Sequence, residues 1–305
     1  MSPAAATKTV RAALVQTRNA YSEMPERIED LHLLADRLDN IRAANVAHNA
    51  ELIALAARAG ARVACLGELF TAPYFALGRD PMWLALAEDA LDGPTVRALR
   101  PVARDLGVVV IAPLFEHDAS SDKRYNTAVV IDADGSVLGR YRKTHIPAGS
   151  NERAAFQETF YYGRSDVPPY FPVFETAVGT LGVSTCYDRH FAGSVASLAR
   201  AGAQLIFTPA ITFGAQSRRM WDLEFPVDAA RNRVFIGGIN RLGAEPPWDV
   251  EYFGASYFVG PDGVLPDLSP LQELVISDLD LASLEATDSS GWDLQRDARP
   301  DIYLT

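Results

Sequence analysis

Three side chains of this sequence could together carry out acyl transfer: a thiol, a carboxylate and an ammonium. Cys186 follows an apolar run at 181–185 and precedes a polar, charged turn at 187–190. A thiol at a strand end near a helix start is expected to have a lowered pKa, and the thiolate is the nucleophilic form. The sequence therefore predicts a nucleophile here, with a small core-filling cysteine as the ordinary alternative.

Glu68 and Lys143 occupy the same kind of position. Glu68 follows the apolar run 62–66, and Lys143 follows the run 137–142. Acyl transfer needs a thiolate to attack a carbonyl, a carboxylate to move protons and a cation to hold the oxyanion. Because all three residues come at strand ends, we expect them to converge. The alternatives are a solvated or helix-capping glutamate and a surface lysine.

The rest of the chain alternates short apolar runs with helical stretches. The turn 132–136 with its glycine predicts an antiparallel hairpin, and 174–184 predicts a second one. Predicted strands are 10–16, 62–66, 108–114, 126–131, 137–142, 205–208 and 234–240; predicted helices are about 25–60, 95–106, 194–201 and 221–232; 256–259, 261–263 and 274–278 close the pattern as a last hairpin-like element. This order favours mixed sheets covered by helices in one domain, 1–305.

Composition limits the possible partners and compartment. The chain has 305 residues, 48% of them hydrophobic, and a net charge of −11. Such a chain can bury a large core, and its charge disfavours nucleic acid and anionic membranes as partners. The N-terminus has no apolar core of signal-peptide length and no run approaches eighteen apolar residues, so we expect a cytoplasmic protein that does not bind membranes. Cys65 and Cys186 do not form a disulfide framework, and Cys65 is expected to be plain core packing.

These motifs resemble the carbon-nitrogen hydrolase or nitrilase superfamily, whose members carry glutamate, lysine and cysteine in this chain order. The separations are 75 residues from Glu68 to Lys143 and 43 from Lys143 to Cys186. The resemblance extends from 12–16 through 141–147 and 186–189 to 240–243. It implies an α/β fold, a four-layer α-β-β-α sandwich, with a homodimer or higher homo-oligomer. No metal or organic cofactor is implied.

The resemblance also suggests a second glutamate. Glu158, in the aromatic run 156–162, matches a glutamate that many family members place beside the lysine. Glu152 is the decoy, because it lacks the aromatic context. His145 could be read as a base, but the resemblance gives that role to Glu68, so a structural histidine bridging loop backbone is expected.

Substrate-binding residues follow from the N-carbamoyl amidohydrolase branch, which includes β-ureidopropionases and which the runs 141–147 and 186–191 resemble most. The backbone N–H of Tyr187 is expected to join Lys143 in holding the oxyanion. Arg189 either holds a substrate carboxylate or forms a structural salt bridge within its own turn. Pro209, Ala210 and Trp221 are expected at the pocket rim.

The leading hypothesis is an amidohydrolase acting on a small N-carbamoyl β-amino acid or N-carbamoyl amine, with release of ammonia, carbon dioxide and the amine. An aliphatic amidase or nitrilase with the same triad is the alternative within enzymes. A non-catalytic binding or scaffold subunit is the alternative of another class. The core is expected at about 9–280, and the tail at about 287–305, with Trp292 and Tyr303, either packs on a neighbouring subunit or frays.

Overall fold

The computed structural model describes residues 9–286, 291–294 and 296–302. Its strands form two six-stranded sheets, ordered β16-β1-β2-β3-β4-β5 and β15-β14-β11-β10-β9-β8, and two small hairpins, β6-β7 and β12-β13. The strands are β1 Thr9–Val15, β2 Val63–Cys65, β3 Val109–Asp118, β4 Lys123–Ile131, β5 Val137–Arg142, β6 Gly149–Ser150, β7 Ala155–Phe156, β8 Val173–Thr176, β9 Gly179–Val183, β10 Leu205–Ala210, β11 Phe235–Asn240, β12 Leu242–Ala244, β13 Glu251–Phe253, β14 Tyr257–Gly260, β15 Gly263–Val264 and β16 Leu274–Asp280.

Within the described ranges, five α-helices and several 3-10 helices connect the strands. The α-helices are α1 Leu38–Arg58, α2 Pro94–Leu106, α3 Glu158–Tyr161, α4 Ala192–Arg200 and α5 Ala215–Asn232; the 3-10 helices are Ile28–Arg37, Phe75–Leu77, Pro81–Leu86, Cys186–His190, Leu281–Glu285 and Pro300–Ile302. The predicted helix at 25–60 is thus a 3-10 segment followed by α1, and α5 begins six residues before the predicted start. No helix in the described part of the chain is long and apolar enough to cross a lipid bilayer.

The two large sheets pack face to face. In β1, Ala12 and Leu14 point into the core between the sheets, whereas Ala13 and Val15 point to the opposite face. Successive side chains of a strand alternate between faces, so a strand apolar at every position is buried on both sides. Helices α1 and α2 cover the outer face of the first sheet, and α4 and α5 cover that of the second. This confirms the predicted α-β-β-α sandwich.

The sheets are mixed, as predicted. Strands β1, β2 and β3 are parallel, and so are β9, β10 and β11, while the remaining pairs of the large sheets are antiparallel. Parallel neighbours bring several carboxyl strand ends to one edge of each sheet, which is where ligand sites of α/β proteins form.

One predicted pairing is wrong. The run 274–278 does not close a hairpin with 256–259; it belongs to β16, which pairs antiparallel with β1 in the other sheet. Leu274 and Ile276 pack under the helices while Val275 and Leu279 pack between the sheets, so β16 needs a position that is covered on both faces. The run 256–259 pairs with β11 and the short β15 instead.

The predicted C-terminal arm is only partly described. Residues 287–290, 295 and 303–305, including Tyr303, lie outside the described residues. Trp292 lies within them and is 69% exposed.

Candidate active site

Each of the three predicted catalytic side chains follows a strand. Glu68 comes three residues after β2, Lys143 comes directly after β5, and Cys186 comes three residues after β9 and begins a 3-10 helix. The backbone of Cys186 has φ of +51°, in the left-handed region. That conformation costs about 1–2 kcal/mol for a residue with a Cβ, so the surrounding packing must hold the turn in place.

The side chains of Glu68, Lys143 and Glu158 meet in one buried cluster. Lys143 Nζ donates to Glu68 Oε1 at 2.9 Å and to Glu158 Oε2 at 2.8 Å. Cys186 lies close enough to Glu68 for each group to shift the pKa of the other, and its Sγ donates to the Ile211 carbonyl oxygen at 3.8 Å. Glu68, Lys143 and Glu158 are at most 2% exposed, and Cys186 is 6% exposed. The structure thus brings together the residues that the sequence placed at separate strand ends.

Two donors that the sequence analysis missed orient Glu68. Asn126 Nδ2 donates to Glu68 Oε1, and the Ile211 backbone N–H donates to Glu68 Oε2, both at 2.7 Å. The Asn126 carbonyl oxygen also accepts the Lys143 backbone N–H at 2.8 Å. A polar residue in an apolar strand such as β4 was the available signal, since a buried amide needs a partner.

Glu158 lies beside the lysine, whereas Glu152 does not. The Tyr74 hydroxyl donates to Glu158 Oε1 at 2.8 Å. Glu152 Oε1 instead accepts the Ala215 backbone N–H at 2.5 Å, at the start of α5. Glu152 therefore caps a helix, where a carboxylate is favoured by the helix dipole.

Burial and mutual contact set the protonation of the cluster. Burial raises the pKa of Glu68, with Glu158 adding to the effect and Lys143 opposing it. Burial alone would lower the pKa of Lys143, but Glu158 and Glu68 outweigh it and raise that pKa well above its usual value. The cation is therefore retained between two carboxylates.

The predicted lowering of the Cys186 pKa is wrong. Burial, followed by the neighbouring Glu68, raises the pKa of the thiol to about 12, although Lys143 and Arg189 act in the other direction. A sulfur that is nearly closed off from water and faces a carboxylate is stabilised as the neutral thiol. The thiol needs a base at the moment of attack, and Glu68 is in reach.

Asp188 ties the nucleophile turn to the lysine segment. This fully buried carboxylate accepts from the Thr185 N–H at 3.0 Å, from the His145 N–H at 2.8 Å and from the Tyr141 hydroxyl. His145 Nδ1 is also 2.7 Å from Asp188, and its ring stacks on Phe191 at 3.8 Å. His145 is thus structural, as expected, but its ring contacts a carboxylate rather than loop backbone.

Arg189 is buried beside the nucleophile and already has protein partners. Its Nη1 donates to the Cys186 carbonyl oxygen at 2.8 Å and its Nη2 to Thr212 Oγ1 at 3.3 Å. Glu224 Oε2 lies 3.4 Å from its Nε. Arg189 therefore has a structural salt bridge, but its partner lies on α5 and not within the turn as considered from the sequence.

The other predicted substrate-binding residues lie in different settings. Tyr187 is half-buried next to Cys186, and Pro209 and Ala210 are buried at the end of β10, directly before Ile211. The expectation that Trp221 forms the rim is wrong: it is fully buried, its Nε1 donates to the Ala255 carbonyl oxygen at 2.8 Å, and Arg189 lies over its ring at 5.5 Å.

Cys65 lies in the core between the sheets with no exposed surface, as predicted. Burial raises the pKa of this thiol well above its usual value. Within the described residues, no group of three histidine, cysteine or acidic side chains is arranged to hold a metal ion.

Comparisons with known proteins agree with this architecture. Residues 11–289 match the carbon-nitrogen hydrolase family. A β-ureidopropionase of Arabidopsis thaliana is 33% identical over 269 residues, which cover 83% of this chain and 64% of that protein, less than two thirds of its length. An N-carbamoylputrescine amidase of Solanum tuberosum is 32% identical over 273 residues, or 85% of this chain and 88% of that protein.

Among solved structures, a carbon-nitrogen hydrolase from Helicobacter pylori G27 aligns with a TM-score of 0.80 at 26% identity, over 97% of each chain. The resemblance inferred from the sequence motifs is therefore confirmed. The chain belongs to the carbon-nitrogen hydrolase family of the nitrilase superfamily, whose enzymes hydrolyse non-peptide carbon–nitrogen bonds.

Proposed function

We propose that this protein is an N-carbamoyl amidohydrolase that cleaves an N-carbamoyl β-amino acid or N-carbamoyl amine through a covalent Cys186 intermediate. The observation that carries the proposal is the buried contact of Lys143 with Glu68 and Glu158 beside the Cys186 thiol. The similarity to a β-ureidopropionase and an N-carbamoylputrescine amidase supports the carbamoyl group as the reacting part of the substrate.

In the first half of the reaction Glu68 accepts the thiol proton as Cys186 Sγ attacks the carbamoyl carbon. The oxyanion that forms is held by Lys143 and by the Tyr187 backbone N–H. An ammonium has three N–H donors, and two of those on Lys143 are directed at Glu68 and Glu158, which leaves the third for the oxyanion. Losing one such donor costs about 3 kcal/mol of transition-state stabilisation, roughly a hundredfold in rate.

In the second half Glu68 returns its proton to the departing nitrogen, and the C–N bond breaks to leave a carbonyl group on sulfur. Glu68 then takes a proton from water, which attacks this carbonyl and releases the thiol. The product is a carbamic acid, which decomposes to carbon dioxide and the second amine. One water is consumed, and ammonia, carbon dioxide and the amine leave.

The residues of the site have different proposed roles in the reaction. Glu68, Lys143, Cys186 and Glu158 are the proposed catalytic residues. Pro209 and Ala210 are buried at the end of β10 and precede Ile211, whose N–H holds Glu68, so their proposed part is to place this N–H. Arg189 remains the candidate for a substrate carboxylate, because one of its five N–H donors has no acceptor among the described contacts.

A substrate panel tests the proposal. Ammonia release is measured from N-carbamoyl-β-alanine, N-carbamoylputrescine, simple aliphatic amides and nitriles, with the Cys186→Ala variant as the blank. We expect the two carbamoyl compounds to be turned over with kcat/KM at least tenfold above amides and nitriles. Preference for a plain amide or nitrile would assign the alternative enzyme classes, and no turnover of any compound would favour a non-catalytic subunit.

The same panel separates the two carbamoyl subclasses. If Arg189 holds a substrate carboxylate, Arg189→Lys raises KM for N-carbamoyl-β-alanine and leaves KM for N-carbamoylputrescine unchanged. Strong activity on the cationic putrescine derivative together with equal loss for both substrates in this variant contradicts a carboxylate-binding role.

A further inference from the structure

A buried cation lies directly under the nucleophile turn. Arg189 is 3% exposed, its Nη1 donates to the carbonyl oxygen of Cys186, and the same nitrogen is 3.9 Å from the Cys186 sulfur. The guanidinium therefore supports the left-handed residue and acts on the reacting atom at the same time. A residue that holds this guanidinium therefore influences both the turn and the sulfur.

Glu224 supplies the countercharge for this cation. Its Oε2 is 3.4 Å from Arg189 Nε, and no other carboxylate in the described part of the chain forms an ion pair with Arg189. The neutral Cys186 thiol supplies no negative charge of its own. A buried charge left without a partner is strongly destabilising, so the carboxylate and the guanidinium must be treated as one unit.

The position of Glu224 explains how it reaches the site from a surface helix. It lies three residues after Trp221 on α5, on the helix face that packs against the second sheet. Its other oxygen, Oε1, is 2.6 Å from His190 Nδ1. A cavity of about 240 Å³ borders this pair, and the charged or titratable side chains that face it are those of Arg189, His190, Glu224, Asp228 and Arg231.

We propose that Glu224 is a positioning residue: its ion pair holds the Arg189 guanidinium back from the Cys186 sulfur, and so limits how strongly that cation acts on the sulfur. The inference rests on the proposed role of Cys186 as nucleophile. The site has other charges near the sulfur, Glu68, Lys143 and Glu158, but these lie in the buried cluster and not on the α5 side. Glu224 reaches the sulfur only through Arg189, from the α5 side.

The physical consequence concerns the protonation of the thiol. Arg189 lowers the pKa of Cys186, against burial and Glu68, which raise it. With Glu224 in place, its ion pair holds the guanidinium back from the sulfur, and the thiol stays protonated until Glu68 takes the proton. Without Glu224 the guanidinium can move closer to the sulfur, and the nearer cation favours the thiolate.

Alkylation of Cys186 by iodoacetamide measures this effect without any substrate. The rate is followed by peptide mapping from about pH 6 to about pH 10, in the wild type, Glu224→Gln, Arg189→Gln and the double variant, with Asp222→Asn as the control. Asp222 lies on the same helix, but it is half exposed and pairs with Arg218. We expect Glu224→Gln to shift the profile to lower pH by about half a pH unit, roughly threefold in rate below the midpoint.

The double variant decides whether Glu224 acts through Arg189. We expect Arg189→Gln to shift the profile to higher pH, the double variant to match Arg189→Gln, and Asp222→Asn to match the wild type. An unchanged profile in Glu224→Gln, or effects of the two substitutions that simply add, overturns the proposal. If Arg189→Gln does not fold, Glu224→Asp takes its place. We expect its alkylation profile to lie between those of the wild type and Glu224→Gln. A profile equal to either of these two would count against the proposal.

The outcomes for this inference and for the proposed function are independent. Absence of carbamoyl hydrolysis with the expected alkylation profiles would remove the proposed substrate but not the role of Glu224. Carbamoyl hydrolysis with an unchanged alkylation profile in Glu224→Gln would remove the role of Glu224 but not the proposed substrate.

Discussion

Asp188 Oδ1 accepts the backbone N–H of His145 at 2.8 Å, and this contact joins the segment that carries Lys143 to the turn that carries Cys186. Lys143 and Cys186 are 43 positions apart and follow strands of different sheets. The relative placement of ammonium and sulfur therefore depends on one buried carboxylate as well as on the sheet packing.

Asp188→Asn should weaken this link. An amide has one acceptor oxygen for the several donors that now meet the carboxylate, so a buried donor is left without a partner. We expect a loss of about 1–3 kcal/mol in the free energy of unfolding and a fall in kcat of roughly ten- to a hundredfold, because misplacement by a fraction of an ångström suffices. Urea unfolding and steady-state kinetics measure both, with the exposed Asp262→Asn as control. Wild-type kcat in Asp188→Asn would show that the link does not position the site.

The two cysteines should respond in opposite ways to truncation. Cys186→Ala is expected to abolish turnover and to change the free energy of unfolding by less than about 1 kcal/mol, because the reacting atom is lost from the edge of the core. Cys65→Ala is expected to keep kcat and to lose about 1–2 kcal/mol of stability, because it leaves a cavity between the sheets. Retained turnover in Cys186→Ala would end the covalent mechanism.

Two nearby glutamates form a matched pair for mutagenesis. Glu158→Gln removes one of the two carboxylates that hold Lys143, so the ammonium loses its fixed direction and we expect kcat to fall at least about tenfold. Glu152→Gln should leave kcat unchanged and cost about 0.3–1 kcal/mol of stability at the start of α5. Equal kinetic effects of the two substitutions would contradict the assignment of Glu158 to the site.

The acid limb of the pH–rate profile should lie above the usual glutamate range. Glu68 has to be ionised to accept the thiol proton, and burial raises its pKa from 4.5. Activity is therefore lost as pH falls through this raised value. Because the folded state binds the proton more readily than the unfolded state, Glu68 itself adds stability as pH falls, so this loss of activity should precede unfolding. We would measure kcat/KM and circular dichroism over the same pH range; an acid limb at or below the ordinary glutamate pKa contradicts Glu68 as the base.

Asp228 should limit stability at neutral pH. Burial raises the pKa of this carboxyl from 3.8 to about 6. A group whose folded pKa is raised loses stability as pH rises from its unfolded to its folded value, here from about pH 4 to about pH 6. Asp228→Asn is therefore expected to raise the free energy of unfolding at pH 7 by about 1–3 kcal/mol and to have little effect near pH 4. Urea unfolding at the two pH values tests this, with Asp222→Asn as control; equal effects at both values would contradict it.

The sequence by itself determined the parts that depend on local pattern. Apolar runs of strand length, followed by Glu68, Lys143 and Cys186, predicted which residues meet, because strand ends gather at the edge of a sheet. The motif around Glu158 distinguished it from Glu152, which the structure places at a helix start. The layered fold followed from runs that are apolar on both faces.

The tertiary structure decided what depends on contacts between distant residues. Ile211 reaches Glu68 across 143 positions, and Glu224 reaches Arg189 from α5, and neither contact has a local signature. The direction of the Cys186 pKa shift was also decided there, because burial and a neighbouring carboxylate outweigh the cations that the strand-end position suggested. Sequence periodicity reports which face of an element is apolar, but the distances between charges on different elements are set only when the two sheets and their helices pack.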